Sequence, residues 1–390
     1  MHPYGLDEQS SSHHSLSLTI ADETAARHAA DVDRRGRFPE ESLRALGAAG
    51  LLGLTVPVEL GGRGAGLRAF CAVAEELGRA CASSAMVYVM HVSATQAIAA
   101  AGSLGGRDAL LRSIAKGEHL TTLSLSERGS RSQFWAPVSK LVAGQDGFVT
   151  TAAKSWVTSA THADSYVSSA QAPGAGSPLE STIYLARTTS DAIRPQGGFD
   201  GLGLRGNDSQ PVSIEAYAVG KSDLLTEQGK GADMMLGVIL PWFAVGTAAM
   251  AHGLCRAAVA ATAHHLSSTT FEHSGTALRD LPQLRARLAT MSVGTEASRA
   301  LLGRTLGIME SGAAEAPLFV LSSRKLALET ALEVTDLAMK ACGGAAFSRQ
   351  TPGAPVERLF RDARAGWVMA PTVDHLDDFI GKALTGLPLF

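Results

Sequence analysis

Charge is scarce in this 390-residue chain: 18% of residues are charged, and 34 Lys+Arg against 37 Asp+Glu leave a formal net charge of −3. That balance gives no electrostatic basis for a nucleic-acid or anionic-membrane partner, because either would call for a cationic surface. Cysteine is nearly absent as well. Cys71, Cys81, Cys255 and Cys342 lie far apart with no C-x-x-C pair, which excludes a disulfide framework or zinc knuckle and fits a reducing cytoplasm. The N-terminus lacks the basic-then-apolar order of a signal peptide and carries Asp7, Glu8, His13 and His14, so residues 1–19 read as a flexible tail. What the chain has is apolar material, 45% of residues, enough for a large core spread over two or three domains.

The segment from Met234 to Cys255 contains no Asp, Glu, Lys or Arg and approaches the ~20 residues of a membrane-spanning helix. Its proline, glycines and alanines, between long amphipathic segments, suit a helix buried inside a bundle. Helical spacing dominates residues 20–118: Phe38-Pro39-Glu40-Glu41 opens a helix carrying Leu43, Leu46 and Leu51, expected to stop near Gly53. A second helical run covers residues 69–101. Between 119 and 228, Thr, Val, Ser and Tyr rise, and turns such as Gln145-Asp146-Gly147 cut the chain into candidate strands at Phe148–Ala152, Ser165–Ala170, Thr182–Ala186 and Val212–Ala216. From 229 to 390 the helical period returns, with a clean amphipathic helix ending at Gly343-Gly344. The fold class is therefore multidomain α+β: an N-terminal helical domain, a middle antiparallel β domain and a C-terminal helical bundle, with the ligand expected where they meet. The run Gly61-Gly62-Arg63-Gly64-Ala65-Gly66 fits no G-x-G-x-x-G register and reads as a turn.

Four segments, in order along the chain, resemble motifs of the acyl-CoA dehydrogenase family. They are Val56-Pro57-Val58-Glu59-Leu60-Gly61-Gly62, Leu125-Ser126-Glu127-Arg128-Gly129-Ser130-Arg131-Ser132, Lys154-Ser155-Trp156-Val157-Thr158-Ser159, and Gly343-Gly344 followed by Val356-Glu357-Arg358-Leu359-Phe360-Arg361-Asp362-Ala363-Arg364. The resemblance implies a C-terminal four-helix bundle, bound FAD, a homotetramer and a small acyl substrate carried on coenzyme A or a carrier protein. It implies cofactor contacts at Leu125, Ser126, Ser132, Trp156, Thr158, Lys340, Gly343, Gly344 and Thr372, and substrate contacts at Trp242 and Ala370. A flavin needs positioned donors at its ring edge and a flat wall on its face, which Ser126, Thr158 and Trp156 are suited to supply. Read without the resemblance, Trp156 is a core aromatic, Ser126 a turn residue and Gly343-Gly344 a plain helix C-cap.

The chain departs from the family where its chemistry is most demanding. Dehydrogenation next to a thioester needs a base at the alpha carbon, and losing one typically costs ~10²–10⁴-fold in rate. The family's usual glutamate follows the R-D-A-R element; here Val368-Met369-Ala370-Pro371-Thr372 puts alanine there. The alternative position on the first long bundle helix falls in Pro241-Trp242-Phe243-Ala244, also without a carboxylate. The family's phosphate-pairing arginine is Ser268, and its glutamine before Gly343-Gly344 is Lys340, so FMN or an exchangeable reduced flavin joins FAD as an expectation. Asp374 and His375 are the nearest titratable residues after the lost base, and His91 on an early helix is the candidate catalytic residue; its alternative is a core histidine bonded to backbone carbonyls. His252, His264, His265 and His273 give no compact ligand set, and no metal is expected.

Three functions follow. The first is a flavin-dependent oxidoreductase acting on an acyl thioester with a relocated base. The second is a flavin monooxygenase of the same fold, hydroxylating carbon or nitrogen with reduced flavin, O₂ and a flavin reductase or other electron partner. The third is a non-redox enzyme or binding protein that keeps the pocket.

Overall fold

The computed structural model describes residues 2–349 and 355–388. The N-terminal part packs six helices: α1 (Glu8–Ile20), α2 (Ala26–Arg35), α3 (Glu40–Ala48), α4 (Leu67–Ala80), α5 (Ala82–Ala100) and α6 (Arg107–Ala115). The expected flexible tail is instead anchored. Asp7 caps α1 by accepting the Ser10 N–H at 2.7 Å, and Tyr4 is fully buried with its hydroxyl 2.9 Å from His252 Nδ1. Capping and a buried aromatic outweigh the polar composition that suggested fraying. Helix α3 also ends before Gly53, at Ala48.

The middle part holds β1 (Thr121–Ser124), β2 (Leu141–Ala143), β3 (Gly147–Val157), β4 (Ser165–Gln171), β5 (Ser181–Arg187), β6 (Ile193–Pro195) and β7 (Gln210–Gly220). Each predicted strand is present and extended at one or both ends. They form two sheets, ordered β1-β4-β5 and β2-β3-β7-β6. The pairing is antiparallel except between β1 and β4, which run parallel, a correction to the wholly antiparallel expectation. Strand β3 alternates buried and exposed residues along most of its length, as a strand with one wet face should.

Helices α7 (Gly231–Met234), α8 (Leu240–Ser268), α9 (Pro282–Glu310), α10 (Ala316–Cys342), α11 (Gly344–Phe347), α12 (Val356–Val368) and α13 (Val373–Thr385) complete the chain. The stretch Gly231–Ser268 is long and apolar enough to span a membrane. Within the chain, however, α8 is packed against α4, α9, α10 and α12, with Ala244 to Cys255 buried throughout. The α4–α8 approach requires glycine: a Cβ at Gly253 would run into the Glu75 carbonyl, and one at Gly78 would lie 2.5 Å from the Met250 carbonyl oxygen. The same crossing carries buried charge. Glu75 pairs with Arg256 at 2.7 Å and Arg299 at 2.8 Å, and Glu76 with Arg79 at 2.7 Å and His14 at 3.1 Å. The two Glu75 pairs tie the N-terminal helices to the bundle, and the Glu76–His14 pair holds α4 to α1.

Candidate functional site

A cavity of about 1090 Å³ opens where the three parts meet, at the upper end of the ~300–1,000 Å³ typical of ligand sites. Its β-side wall is built by the loop that leaves β1. Glu127 shapes that loop: its carboxylate accepts the N–H groups of Val138 at 2.7 Å and Ser139 at 2.8 Å, the Ser139 hydroxyl, and Lys154 Nζ at 2.7 Å. Lys154, fully buried, also donates to the Ser169 carbonyl at 2.7 Å. Burial pushes the Glu127 carboxyl up, but the Lys154 charge and the Ser139 donors outweigh it and hold it below the usual carboxylate range. The loop pairs back onto β3 through Ser155 N–H to the Ser126 carbonyl at 2.9 Å, which sets Ser126 beside Trp156.

Trp156 itself is turned out by a break in the ladder. The β3–β7 register shifts between Lys154 and Val157, and Trp156 adopts φ 56°, a left-handed conformation that bulky residues rarely take. Its indole is 67% exposed and meets Phe199 edge-on, with ring centroids 6.4 Å apart. Bulges commonly re-aim a side chain beside an active site, and here the result is a large flat face on the cavity wall. On the same side Thr158 Oγ1 lies 2.9 Å from Ser209 Oγ. The helical side contributes apolar residues, Met86 and Met90 of α5, Phe243 of α8 and Ala365 of α12, continued by Met369 and Ala370, beside two arginines of α12.

Leu125, Ser126, Ser132, Trp156, Thr158 and Ala370 all line this cavity. Others expected there do not. His91 is fully buried away from the lining: its Nδ1 accepts the Thr121 N–H at 3.2 Å and its Nε2 faces the Leu52 carbonyl at 3.1 Å. With both ring nitrogens taken by backbone, and burial lowering its pKa to about 4, it is placed as a neutral core histidine rather than as a base. Trp242 packs against Phe70 at 5.5 Å, leaving its neighbour Phe243 on the cavity. Thr372 caps α13 and pairs with His375 at 3.0 Å, and neither these two nor Asp374 lines the cavity. Lys340 pairs with Asp336 at 2.6 Å on the outer surface, and a Cβ at Gly343 or Gly344 would meet open space. No group of three His, Cys, Asp or Glu able to hold a metal occurs among the described residues.

The lining also includes residues that spacing alone left unassigned: Met86, Met90, Phe134, Phe199, Phe243, and the Arg361 and Arg364 of the R-D-A-R element. Arg361 is paired with Asp33 at 2.6 Å and Glu357 at 2.8 Å, whereas Arg364 donates to Thr335 Oγ1 at 2.8 Å and lies over the Phe360 ring. Among the described residues, the cavity lining therefore contains one carboxylate, Glu127, already saturated by donors, and no histidine.

Comparison with known proteins agrees with this arrangement. Residues 14–118 match the family model "Acyl-CoA dehydrogenase, N-terminal domain" and residues 229–384 match "Acyl-CoA dehydrogenase, C-terminal domain". A probable acyl-CoA dehydrogenase of Mycobacterium leprae, fadE25, is 28% identical over 360 residues, covering 90% of each chain. Butyryl-CoA dehydrogenase from Megasphaera elsdenii superposes with a TM-score of 0.91 at 21% identity, over 98% of this chain and 99% of that one. PigA, in a structure with FAD and proline, superposes with a TM-score of 0.89 at 17% identity, over 98% of both chains. Matches to both terminal domains, with relatives aligned along nearly the whole length, lead to one conclusion: the chain belongs to the acyl-CoA dehydrogenase family.

Proposed function

We propose that this protein is an FAD-dependent oxidoreductase acting on a small acyl thioester without a carboxylate base at either customary position. The observation that carries the reading is the indole of Trp156, held out by a ladder break onto a cavity large enough for a cofactor and an acyl group together. The residues present fit the cofactor. Trp156 offers the flat wall, Ser126 and Thr158 offer hydroxyls for the ring edge, and Ser132 with the exposed Arg131, also in the lining, would hold phosphates. The FAD-bound state of PigA, a protein of the same fold, supports this choice. Bound there, FAD would supply either hydride acceptance or, once reduced, activation of O₂.

The chain's own contribution is positioning and exclusion of water. Met86, Met90, Phe134 and Phe243 enclose the acyl group, and Ala370 occupies the place from which a glutamate would reach the alpha carbon. With Glu127 held as a saturated anion by Lys154 and Ser139, the lining provides no group to take a proton from carbon. That same absence favours a second reading within the proposal, in which reduced flavin and O₂ oxygenate the substrate and no carbon acid has to be deprotonated. Lys340, Gly343 and Gly344, on the outer surface, can serve a cofactor only when a second copy brings its site to them, consistent with the homotetramer expected of the family.

The test is spectroscopic. Purified protein reconstituted with FAD should turn yellow, and anaerobic mixing with short acyl thioesters should bleach the flavin if dehydrogenation is the reaction. If the flavin stays oxidised in that mixing, but adding NADH, a flavin reductase and ¹⁸O₂ puts one labelled oxygen atom into the thioester, the oxygenase reading holds. A protein that stays colourless after reconstitution refutes the proposal.

A further inference from the structure

Arg324, in the middle of α10, is fully buried, and no carboxylate pairs with it among the described residues. Its two terminal nitrogens donate to the carbonyls of Pro371 at 2.9 Å and Met369 at 3.2 Å, its Nε has no partner, and its guanidinium lies over the Phe243 ring at 5.0 Å. Phe243, Met369 and Ala370 all line the cavity. The charge therefore sits directly behind both positions where the family's glutamate is missing. A buried cation without a counter-ion is costly, and proteins normally neutralise it with a paired carboxylate. Burial alone, unopposed by any nearby anion, brings its pKa down to about 9.

The cavity itself is cation-rich. Arg128, Arg131, Lys154, Arg361 and Arg364 line it, against the single carboxylate of Glu127. Phosphates of a bound cofactor would pair with cations of the lining itself, whereas Arg324 is not part of the lining and lies behind Phe243 and Met369. Taking the acyl-thioester reading above as its basis, we propose that the acyl group bound here carries its own carboxylate, and that Arg324 is the specificity-determining cation for it. Ala370 supports the assignment: a glutamate at that position would occupy the positive field that the substrate anion needs, whereas alanine leaves it open. Arg324 acts here as a positioning residue, through field and through the 369–371 carbonyls it holds, and not by direct contact with the reacting atoms.

The experiment compares ω-carboxyacyl-CoA thioesters of three to five carbons with uncharged acyl-CoA thioesters of equal length. Calorimetric titration is run on FAD-reconstituted enzyme, so binding is read independently of turnover. The carboxylated ester should bind about tenfold or more tightly, and the ratio should persist in high salt because the responsible charge is buried; attraction to the exposed Arg128 or Arg131 would be screened. Arg324→Met should reduce the ratio to about one, and Arg324→Lys should restore part of it. Equal affinities in the wild-type protein, a ratio that collapses with salt, or a ratio unchanged in Arg324→Met overturns the assignment. Failure of every thioester to bind refutes the acyl-thioester reading beneath it. Should Arg324→Met not fold, the wild-type ratio and its salt dependence decide the matter unaided.

Discussion

The Glu127–Lys154 pair offers a test in which structure fixes both magnitude and pH dependence. Lys154 is wholly buried and Glu127 nearly so, with Nζ 2.7 Å from the carboxylate. Replacing Lys154 by Met leaves a buried carboxylate with its cation gone, a change that typically costs ~3–5 kcal/mol. Glu127 would keep the two N–H donors and the Ser139 hydroxyl, so the loss should fall at the low end, about 3 kcal/mol. The sign with pH then inverts. In the wild type the carboxyl is held below its unfolded value, so its contribution is present above the unfolded pKa and is lost as pH falls through the folded one. In Lys154→Met, burial dominates, the folded pKa rises above the unfolded one, and protonation relieves the strain; the penalty should be largest at pH 8 and shrink by pH 5. The double variant Glu127→Gln/Lys154→Met should recover most of the stability. Urea unfolding followed by circular dichroism measures all three proteins, and flavin absorbance after gel filtration reports whether the 125–139 loop still holds the cofactor. A loss under about 1 kcal/mol, or a double variant no better than the single one, would refute the reasoning.

The remaining predictions concern the core histidines, the aromatic wall and the vacant base position. His91→Ala strands the Leu52 carbonyl and the Thr121 N–H in the core, about 1–3 kcal/mol for each group, so stability measured by thermal melting should fall; unchanged melting with turnover abolished would return His91 to the chemistry. His91 and His252, both fully buried with pKa values lowered to about 4 by burial, remain neutral in the folded state while the unfolded chain takes protons below about 6.5. Stability should therefore decline as pH drops from about 6.5 toward 4, and a urea midpoint flat over that range would contradict it. Trp156→Ala should lower FAD affinity at least tenfold while Trp156→Phe loses less, as read by fluorescence titration; equal affinity would remove the indole from the cofactor wall. Ala370→Glu should confer thioester-dependent bleaching of the flavin under anaerobic conditions, and no bleaching with any bound thioester would show that the acyl group does not lie beside residue 370.

What the sequence made legible was periodicity and local chemistry. The β3 and β7 strands declared themselves by their Thr, Val, Ser and Tyr content between turn residues, and the Trp156 singled out by its motif lines the cavity. The first helix did not show itself because its inward positions, Ser10, His13, Ser17 and Ile20, have the spacing of a buried face but mostly polar side chains; their burial comes from packing against α4, some sixty residues along the chain. The surroundings of His91 were hidden for a related reason. Nothing near it in sequence reveals that the Leu52 carbonyl and the Thr121 N–H meet its two nitrogens. At the start of α8, where Leu240 to Gly246 carry no polar side chain but the indole N–H of Trp242, periodicity cannot say which of Trp242 and Phe243 faces the cavity, and only packing against Phe70 separates them.

The missing glutamate shows how far a departure from a pattern can be carried by sequence alone. Alanine at 370 is visible in the sequence, and the proposed function reads it as the loss of a proton acceptor. Its electrostatic surroundings are not, because Arg324 reads as one cation in an amphipathic helix that also carries ordinary i,i+4 pairs, Lys325 with Glu329 and Lys340 with Asp336. Folding turns Arg324 the other way, onto the carbonyls that flank Ala370 and the ring of Phe243. On the proposed reading, a site with alanine at 370 and the unpaired Arg324 guanidinium behind it has a positive local field. A positive field disfavours a second cation and stabilises developing negative charge on the substrate, so in this pocket the burden of charge shifts from the protein's base to the molecule it binds.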